Sequence, residues 1–324
     1  MTKSEIGAKT IISDWLKLSS NDVLTIISDE NYIAQAELLC SFASKSTSNV
    51  KVLLLSVADQ QNGSVLMQEP YSSEIDRSTV IIGASTYSLI TSHKIKQAMA
   101  SGIRFLSLPL STNDRRDMLS LDFIRMPLDE AKHMADILVK KISGAKNIRV
   151  TTPAGTDLSL EIDGRIPGFF TGDFSNGTFC ESSCFEVYIS PVEDKTNGIM
   201  MLDGSFGYIG APSEPLRIEF KDGKICSVSE TEDGRKLTAY IDSFHDDRMK
   251  TGAEFGIGIN KLAHCSGNCY IEDESSYGTF HIGMGRNITL GGKSDASGHF
   301  DLVCFKPTIY FDGKPAIIDG LIIE

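Results

Sequence analysis

The sequence contains no apolar run near the ~20 residues that a membrane-spanning helix needs. Val52 to Ala58 is among its longest apolar stretches. It also lacks a basic excess, since 31 lysines and arginines face 43 aspartates and glutamates, for a net charge of −12. With no surplus cations to neutralise phosphates, nucleic acid is excluded as a main partner and an anionic membrane surface is disfavoured. Met1 to Ser20 carries charges throughout and has no apolar core of a secretory leader. Seven scattered cysteines, an odd number, argue for reduced thiols and a cytoplasmic location rather than a disulfide framework. Neither a Gly-x-x-x-x-Gly-Lys-Ser/Thr phosphate loop nor a Gly-x-Ser-x-Gly elbow occurs, so nucleotide hydrolysis and serine-nucleophile chemistry have no motif support. Internal repeats and low-complexity segments are absent too.

What is present suggests two domains, because 324 residues exceed the usual size of a single core. The first part alternates. Strand-like Val23 to Ser28, Val50 to Val57, Thr79 to Gly83 and Ile103 to Pro109 are separated by helix-like Tyr32 to Ser44 and Ser92 to Ala100. That pattern predicts an α/β domain with a mostly parallel sheet. Asn62 to Ser73 reads as a polar loop, and Asp129 to Ile142 as an amphipathic helix with Ala131, Met134, Leu138 and Ile142 on one face. Near Gly144 to Asn147 the texture changes. From Ile148 onward turn signals recur, and Asp222-Gly223-Lys224 and Asp312-Gly313-Lys314 read as hairpin turns. One helix, about Arg235 to Arg248, interrupts this half. The expected division is an α/β domain over 1–147 and a β-rich α+β metal-binding domain over 148–324.

The second half also holds every candidate ligand. Glu186, Glu254, His281, His299 and Asp301 each sit on a strand-like stretch, with bulky apolar residues at one parity and the polar residue at the other. Successive strand side chains point to opposite faces, so the apolar parity can bury while the polar one projects into a shared space. Gly256, Gly258, Gly283 and Gly285 share the polar parity, where a packing face would carry bulk. Imidazole and carboxylate donors of this kind suit zinc, manganese, cobalt or iron rather than calcium. Two ions ~3.5–4 Å apart would need bridging carboxylates, which this set supplies. Glu272-Asp273-Glu274, taken alone, reads as an exposed turn. The pairs Cys180/Cys184 and Cys265/Cys269 are longer by one residue than the commonest zinc knuckle and read better as small buried thiols.

Together these stretches resemble the thermophilic-metalloprotease aminopeptidases, of the aminopeptidase T and aminopeptidase S, leucyl aminopeptidase-like type. The matching residues run in order through Gly155-Thr156-Asp157-Leu158, Glu186 to Pro191, Glu254 to Asn260, Asp273-Glu274, Gly278 to Gly285, Gly291-Gly292-Lys293, His299-Phe300-Asp301 and Asp312-Gly313-Lys314. The resemblance implies a metal-dependent aminopeptidase: two divalent ions, zinc, cobalt or manganese, on Glu186, Glu254, His281, His299 and Asp301. A metal-activated water would attack the peptide, with Glu254 and Glu274 as the carboxylates serving catalysis. A homodimer and a peptide or other small-molecule substrate are implied as well. The sequence departs from that family where Phe185 and Ala253 replace glycine before the two glutamates, and where Ile288 replaces a tyrosine seven residues after His281.

Dihydroxypyridine ring-cleaving dioxygenases look similar from the Gly-Gly-Lys stretch to His-x-Asp. They imply one ferrous ion on two histidines and one carboxylate, for which His281, His299 and Asp301 are candidates. In that family a histidine takes the position of Glu254, and the position of His281 is not histidine. The carboxylate count therefore favours hydrolysis, with ring cleavage as the alternative. A catalytically idle metal-binding scaffold is the third class.

Overall fold

In the computed structural model, which describes residues 1–60 and 64–324, the chain divides into two compact units. The first comprises Met1–Leu128 and Phe170–Cys184, and the second Asp129–Phe169 and Phe185–Glu324. This partition does not follow a single cut at 147. Helix Leu128–Ile142 belongs almost wholly to the second unit, and a later excursion returns to the first. The excursion supplies strand Cys180–Ser182, which pairs in parallel with Arg104–Pro109 from far away in sequence.

The first unit is built on a five-stranded sheet in the order Asn49–Leu54, Val23–Ser28, Val80–Ser85, Arg104–Pro109, Cys180–Ser182. Every pair is parallel, as alternating strand and helix patterns predict. Helix His93–Ala100 starts where Ser92 accepts the Ile95 N–H, an ordinary N-cap. The segment expected as a polar loop over 62–73 is a helical turn at Ser64–Met67 and a helix from Tyr71, while Asn62 and Gly63 lie outside the described residues. Leu66 and Ile75 explain the ordering, since both enter the core beside Ile27, Ile81, Leu89 and Phe105. Among the described residues, no helix is long and apolar enough to cross a membrane.

The second unit carries two sheets. One runs Lys224–Val228, Leu216–Lys221, Thr196–Leu202, Asp157–Glu161, Asn147–Thr151, Thr308–Phe311, Lys314–Ile318, Leu321–Ile322. Its hairpins turn where expected, with Asp222 and Gly223 at φ 48° and 80°, and Asp312 and Gly313 at φ 47° and 77°. The other sheet runs Ser205–Phe206, His299–Phe305, Thr279–Gly285, Gly252–Gly258, Glu186–Ile189, Gly168–Phe170. Three of its strands put Phe255, Ile257, Phe280, Ile282, Met284, Phe300 and Leu302 on one buried face. Phe255 stacks on Phe280 at 5.7 Å, and Tyr240 meets Phe300 edge-on at 5.1 Å from helix Glu232–Ser243. The core therefore fixes which face the alternate residues must use.

Candidate metal centre

On that second face the antiparallel register sets a glycine directly opposite each of the five polar residues. Glu186 pairs with Gly258, His281 with Gly256, Glu254 and Asp301 both with Gly283, and His299 with Gly285. Directly paired side chains in a sheet lie ~4.5–5.5 Å apart, so a second bulky group there would fill the space the donors use. A Cβ on Gly256 would stand 1.9 Å from His281 Nε2. One on Gly283 would stand 2.7 Å from Asp301 Oδ1 and 2.8 Å from both Glu254 Cβ and His299 Cε1. These two glycines make room for the donors, whereas a Cβ on Gly258 or Gly285 would meet backbone oxygens of Ser276 or Gly298.

A bulge aims Glu254. The register between the strands shifts between Gly252 and Glu254, so Ala253 is an extra residue. Bulges beside functional sites commonly redirect a side chain in this way. Nothing in the local alternation marks it, and Ala253, noted above only as a departure from glycine, is its bulged residue.

The donors form two compact groups that share one carboxylate: Glu186, Glu254 and His281, and Glu254, His299 and Asp301. In each, one ligand atom per residue lies within 4.8 Å of the others. His281 Nε2 is 2.8 Å from Glu186 Oε2, and His299 Nε2 is 3.1 Å from Glu254 Oε2 and 3.4 Å from Asp301 Oδ1. The triad His281, His299 and Asp301 is not among the compact groups of the described residues. Glu274 hydrogen-bonds Asp301 and belongs to neither group.

The centre is deeply buried. Side-chain exposure is 1% for His281, 3–4% for Asp301 and Glu254 and 7% for Glu186, but 15% for His299. Burial, followed by the charge of Glu186, pushes the Glu254 carboxyl up to about 7. For His281 burial works the other way, yet its bond to Glu186 holds the imidazole up to about 9. His299 is likewise held well above the ordinary histidine value, because Asp301 and Glu254 outweigh its burial. Asp301 is held below the carboxylate range, where burial opposes the shift and the His299 charge wins.

Three buried carboxylates against two imidazoles leave negative charge without a full counter-charge, an arrangement that is costly unless a cation completes it. Glu254 Oε1 and His281 Nδ1 have no hydrogen-bond partner among the described residues either. On its donor chemistry the site fits a divalent transition metal. Because a ligating imidazole must lose its proton, metal uptake must displace the proton that each ligating histidine holds at neutral pH. Uptake is therefore expected to release about one to two protons per ion, and affinity to weaken roughly 10- to 100-fold per pH unit on acidification below neutrality. A pH-indicator titration with metal checks this, and pH-independent affinity would refute it.

Sequence reading missed Tyr270. Its phenol donates to Asp301 Oδ2 from helix Tyr270–Ser275 and stacks on Tyr208 at 4.4 Å and 22°. A phenol thus stands at the centre although Ile288 occupies the sequence position where one was sought. The Glu272-Asp273-Glu274 run is a correction: it forms part of this buried helix, not an exposed turn. Asp273 belongs to neither donor group and accepts the Ser266 and Gly267 N–H groups at 2.8 and 3.1 Å; burial raises it to about 7. A tyrosine one helical turn before Glu274 was the available signal. All seven cysteines are free thiols and none joins a compact donor group among the described residues.

The family described as "NicX: 2,5-dihydroxypyridine 5,6-dioxygenase" matches residues 28–324. No curated protein sequence gives a significant match. Among solved structures, 2,5-dihydroxypyridine dioxygenase from Pseudomonas putida KT2440 is similar at a TM-score of 0.79 and 16% identity, covering 98% of this chain and 97% of that one. AmpT from Thermus thermophilus is similar at 0.63 and 12% identity, covering 99% of each chain. At such identities both speak to the fold alone: a mixed α/β architecture with one parallel and further antiparallel sheets. The aminopeptidase, protease and hydrolase reading is overturned by the family match, and the likeness to aminopeptidase T persists only as a likeness of fold. The physical reason for the error is plain. Imidazole and carboxylate donors on this sheet serve hydrolytic and oxidative metals alike, so counting carboxylates does not separate the two chemistries.

Proposed function

This chain belongs to the NicX family of 2,5-dihydroxypyridine 5,6-dioxygenases, and we propose that it opens the ring of a dihydroxylated pyridine with dioxygen at the metal centre described above. The family match over residues 28–324, joined to a buried centre of imidazole and carboxylate donors, carries this reading. Glu254, His299 and Asp301 would hold a ferrous ion, with Glu254 where the ring-cleaving family carries its second histidine; they form one compact group whose histidine is the most exposed of the five donors. When bound, such an ion would supply the redox centre that allows ground-state dioxygen and an electron-rich ring to react. The overall change balances without an external reductant: the bond between ring carbons 5 and 6 breaks, and each of those carbons takes one oxygen atom.

The remaining residues have separable tasks. His299 Nδ1 faces the Arg286 carbonyl oxygen at 2.8 Å; since a carbonyl only accepts, Nδ1 carries the proton and Nε2 is presented to the centre. Tyr270 donates to Asp301 Oδ2 and leaves Oδ1 toward His299. The Glu186–His281 pair holds a proton at Nε2 beside Glu254 and is placed to exchange it with a substrate hydroxyl. Because exposure is greatest at His299, substrate approach is assigned to that side.

Anaerobic loading with ferrous iron, followed by 2,5-dihydroxypyridine and 18O-labelled dioxygen, tests the proposal. Loss of the ring absorbance, one dioxygen consumed per ring and two labelled oxygens in the product are expected. No oxygen uptake by iron-loaded protein would sink it. One iron per chain is the expected content. Two divalent ions per chain would instead restore the zinc, cobalt or manganese pair expected from the sequence, which the shared Glu254 could bridge.

A further inference from the structure

The Gly291-Gly292-Lys293 stretch contributes no donor to either group, yet it is built around one buried side chain. Asn287 is 0% exposed. Its Nδ2 donates to the Ala253 carbonyl at 2.8 Å, and its Oδ1 accepts the Ser294 N–H at 2.8 Å. Its own carbonyl accepts the N–H groups of Leu290 and Gly292 at 3.0 Å each. A Cβ on Gly292 would stand 2.0 Å from the Asn287 carboxamide carbon, so that amide keeps its place only beside glycine. Gly291 is glycine for a different reason: its φ is +91°, and a Cβ there would meet nothing within 4 Å.

Both ends of this network abut donors. Ala253 is the bulged residue immediately before Glu254, and Arg286, immediately before Asn287, supplies the carbonyl that orients His299. One carboxamide therefore ties the backbone that aims Glu254 to the loop that aims His299. We propose that Asn287 is a positioning residue that sets the spacing of Glu254 and His299 for the ion, with Gly292 providing the space it occupies. The inference rests on the metal-centre reading and adds to it what the Gly-Gly stretch does. Groups that orient ligands in this manner typically change metal affinity 10–100-fold when removed.

The test compares wild type with Asn287→Ala, Asn287→Asp, Gly292→Ala and Gly291→Ala. Ferrous iron affinity is read by anaerobic competition with a chromophoric chelator, and ligand geometry by the visible spectrum of the cobalt(II) form. Asn287→Ala and Gly292→Ala are expected to weaken iron binding ~10- to 100-fold and to shift the cobalt bands. Gly291→Ala, which strains only its own backbone, should stay within about threefold of wild type. Wild-type affinity and spectrum in folded Asn287→Ala or Gly292→Ala would overturn the assignment. Should Asn287→Ala not fold, Asn287→Asp decides, since it keeps the acceptor for Ser294 but puts a carboxylate oxygen where Nδ2 donates to Ala253 and Glu193; unchanged iron binding there refutes the role. A wild-type protein that binds iron with this ranking but opens no ring supports the positioning role while removing the proposed activity. A wild-type protein that binds no iron overturns both.

Discussion

Glu254→Gln is expected to lower ring cleavage on the order of 10³-fold or more, about 4 kcal/mol of barrier, because it is the one carboxylate common to both donor groups. The replacement is nearly isosteric, so packing on the sheet is preserved while the negative ligand is lost. The same change is expected to raise the melting temperature of the metal-free protein. Glu254 is buried beside Glu186 and Asp301, and those neighbours together with burial already push its carboxyl up to about 7. Removing one charge from that cluster relieves repulsion that only a cation would otherwise offset. Calorimetry of the metal-free protein and oxygen uptake by the iron-loaded protein should therefore move in opposite directions. A variant that keeps full activity would show that Glu254 is no ligand, and one whose metal-free form melts lower would show that the cluster is not under charge strain.

Gly283→Ala should be nearly as damaging, although it adds one methyl group to a strand where alanine is ordinarily no worse than glycine. The new Cβ would lie within 2.7–2.8 Å of atoms on Asp301, Glu254 and His299, so three of the five donors must move at once. Asp301 and Glu254 are 3–4% exposed and His299 15%, so displacing all three together disturbs the whole set, which makes a loss on the order of 10²–10³-fold in iron affinity the expected result. Circular dichroism should remain that of a folded protein, because the apolar face carrying Phe280, Ile282 and Met284 is untouched. Gly256→Ala acts on a single donor, His281, and provides a graded comparison. Unaltered iron binding by Gly283→Ala would mean that the close packing of glycine against donor is not needed to form the site.

Much of this centre was legible beforehand because a strand has a period of two. Phe280-His281-Ile282 and His299-Phe300-Asp301 announce which residues bury and which project, and the glycines on the projecting parity signalled empty space. Only pairing revealed that each donor stands opposite a glycine, since register joins strands distant in sequence. The Ala253 bulge, Asn287 and Tyr270 were invisible for the same reason: their partners are 34 residues away in one case and 31 in another. The acidic helix at Tyr270–Ser275 misled because charge argues for exposure, and only the surrounding structure determines that Asp273 spends its carboxylate on backbone N–H groups.

By itself, then, the sequence determined the alternation of strand and helix in the first unit, the buried and donor-bearing parities of the second, and the five side chains able to hold a metal. Those are local properties, set by hydrophobic period and residue chemistry within a few positions. The tertiary structure decided the rest: which donors gather into compact groups, how deeply their charges are buried, and which neutral residues pack against them. Separations of a few ångströms between residues 95 positions apart, as between Glu186 and His281, depend on strand register and core packing, and no local pattern encodes them.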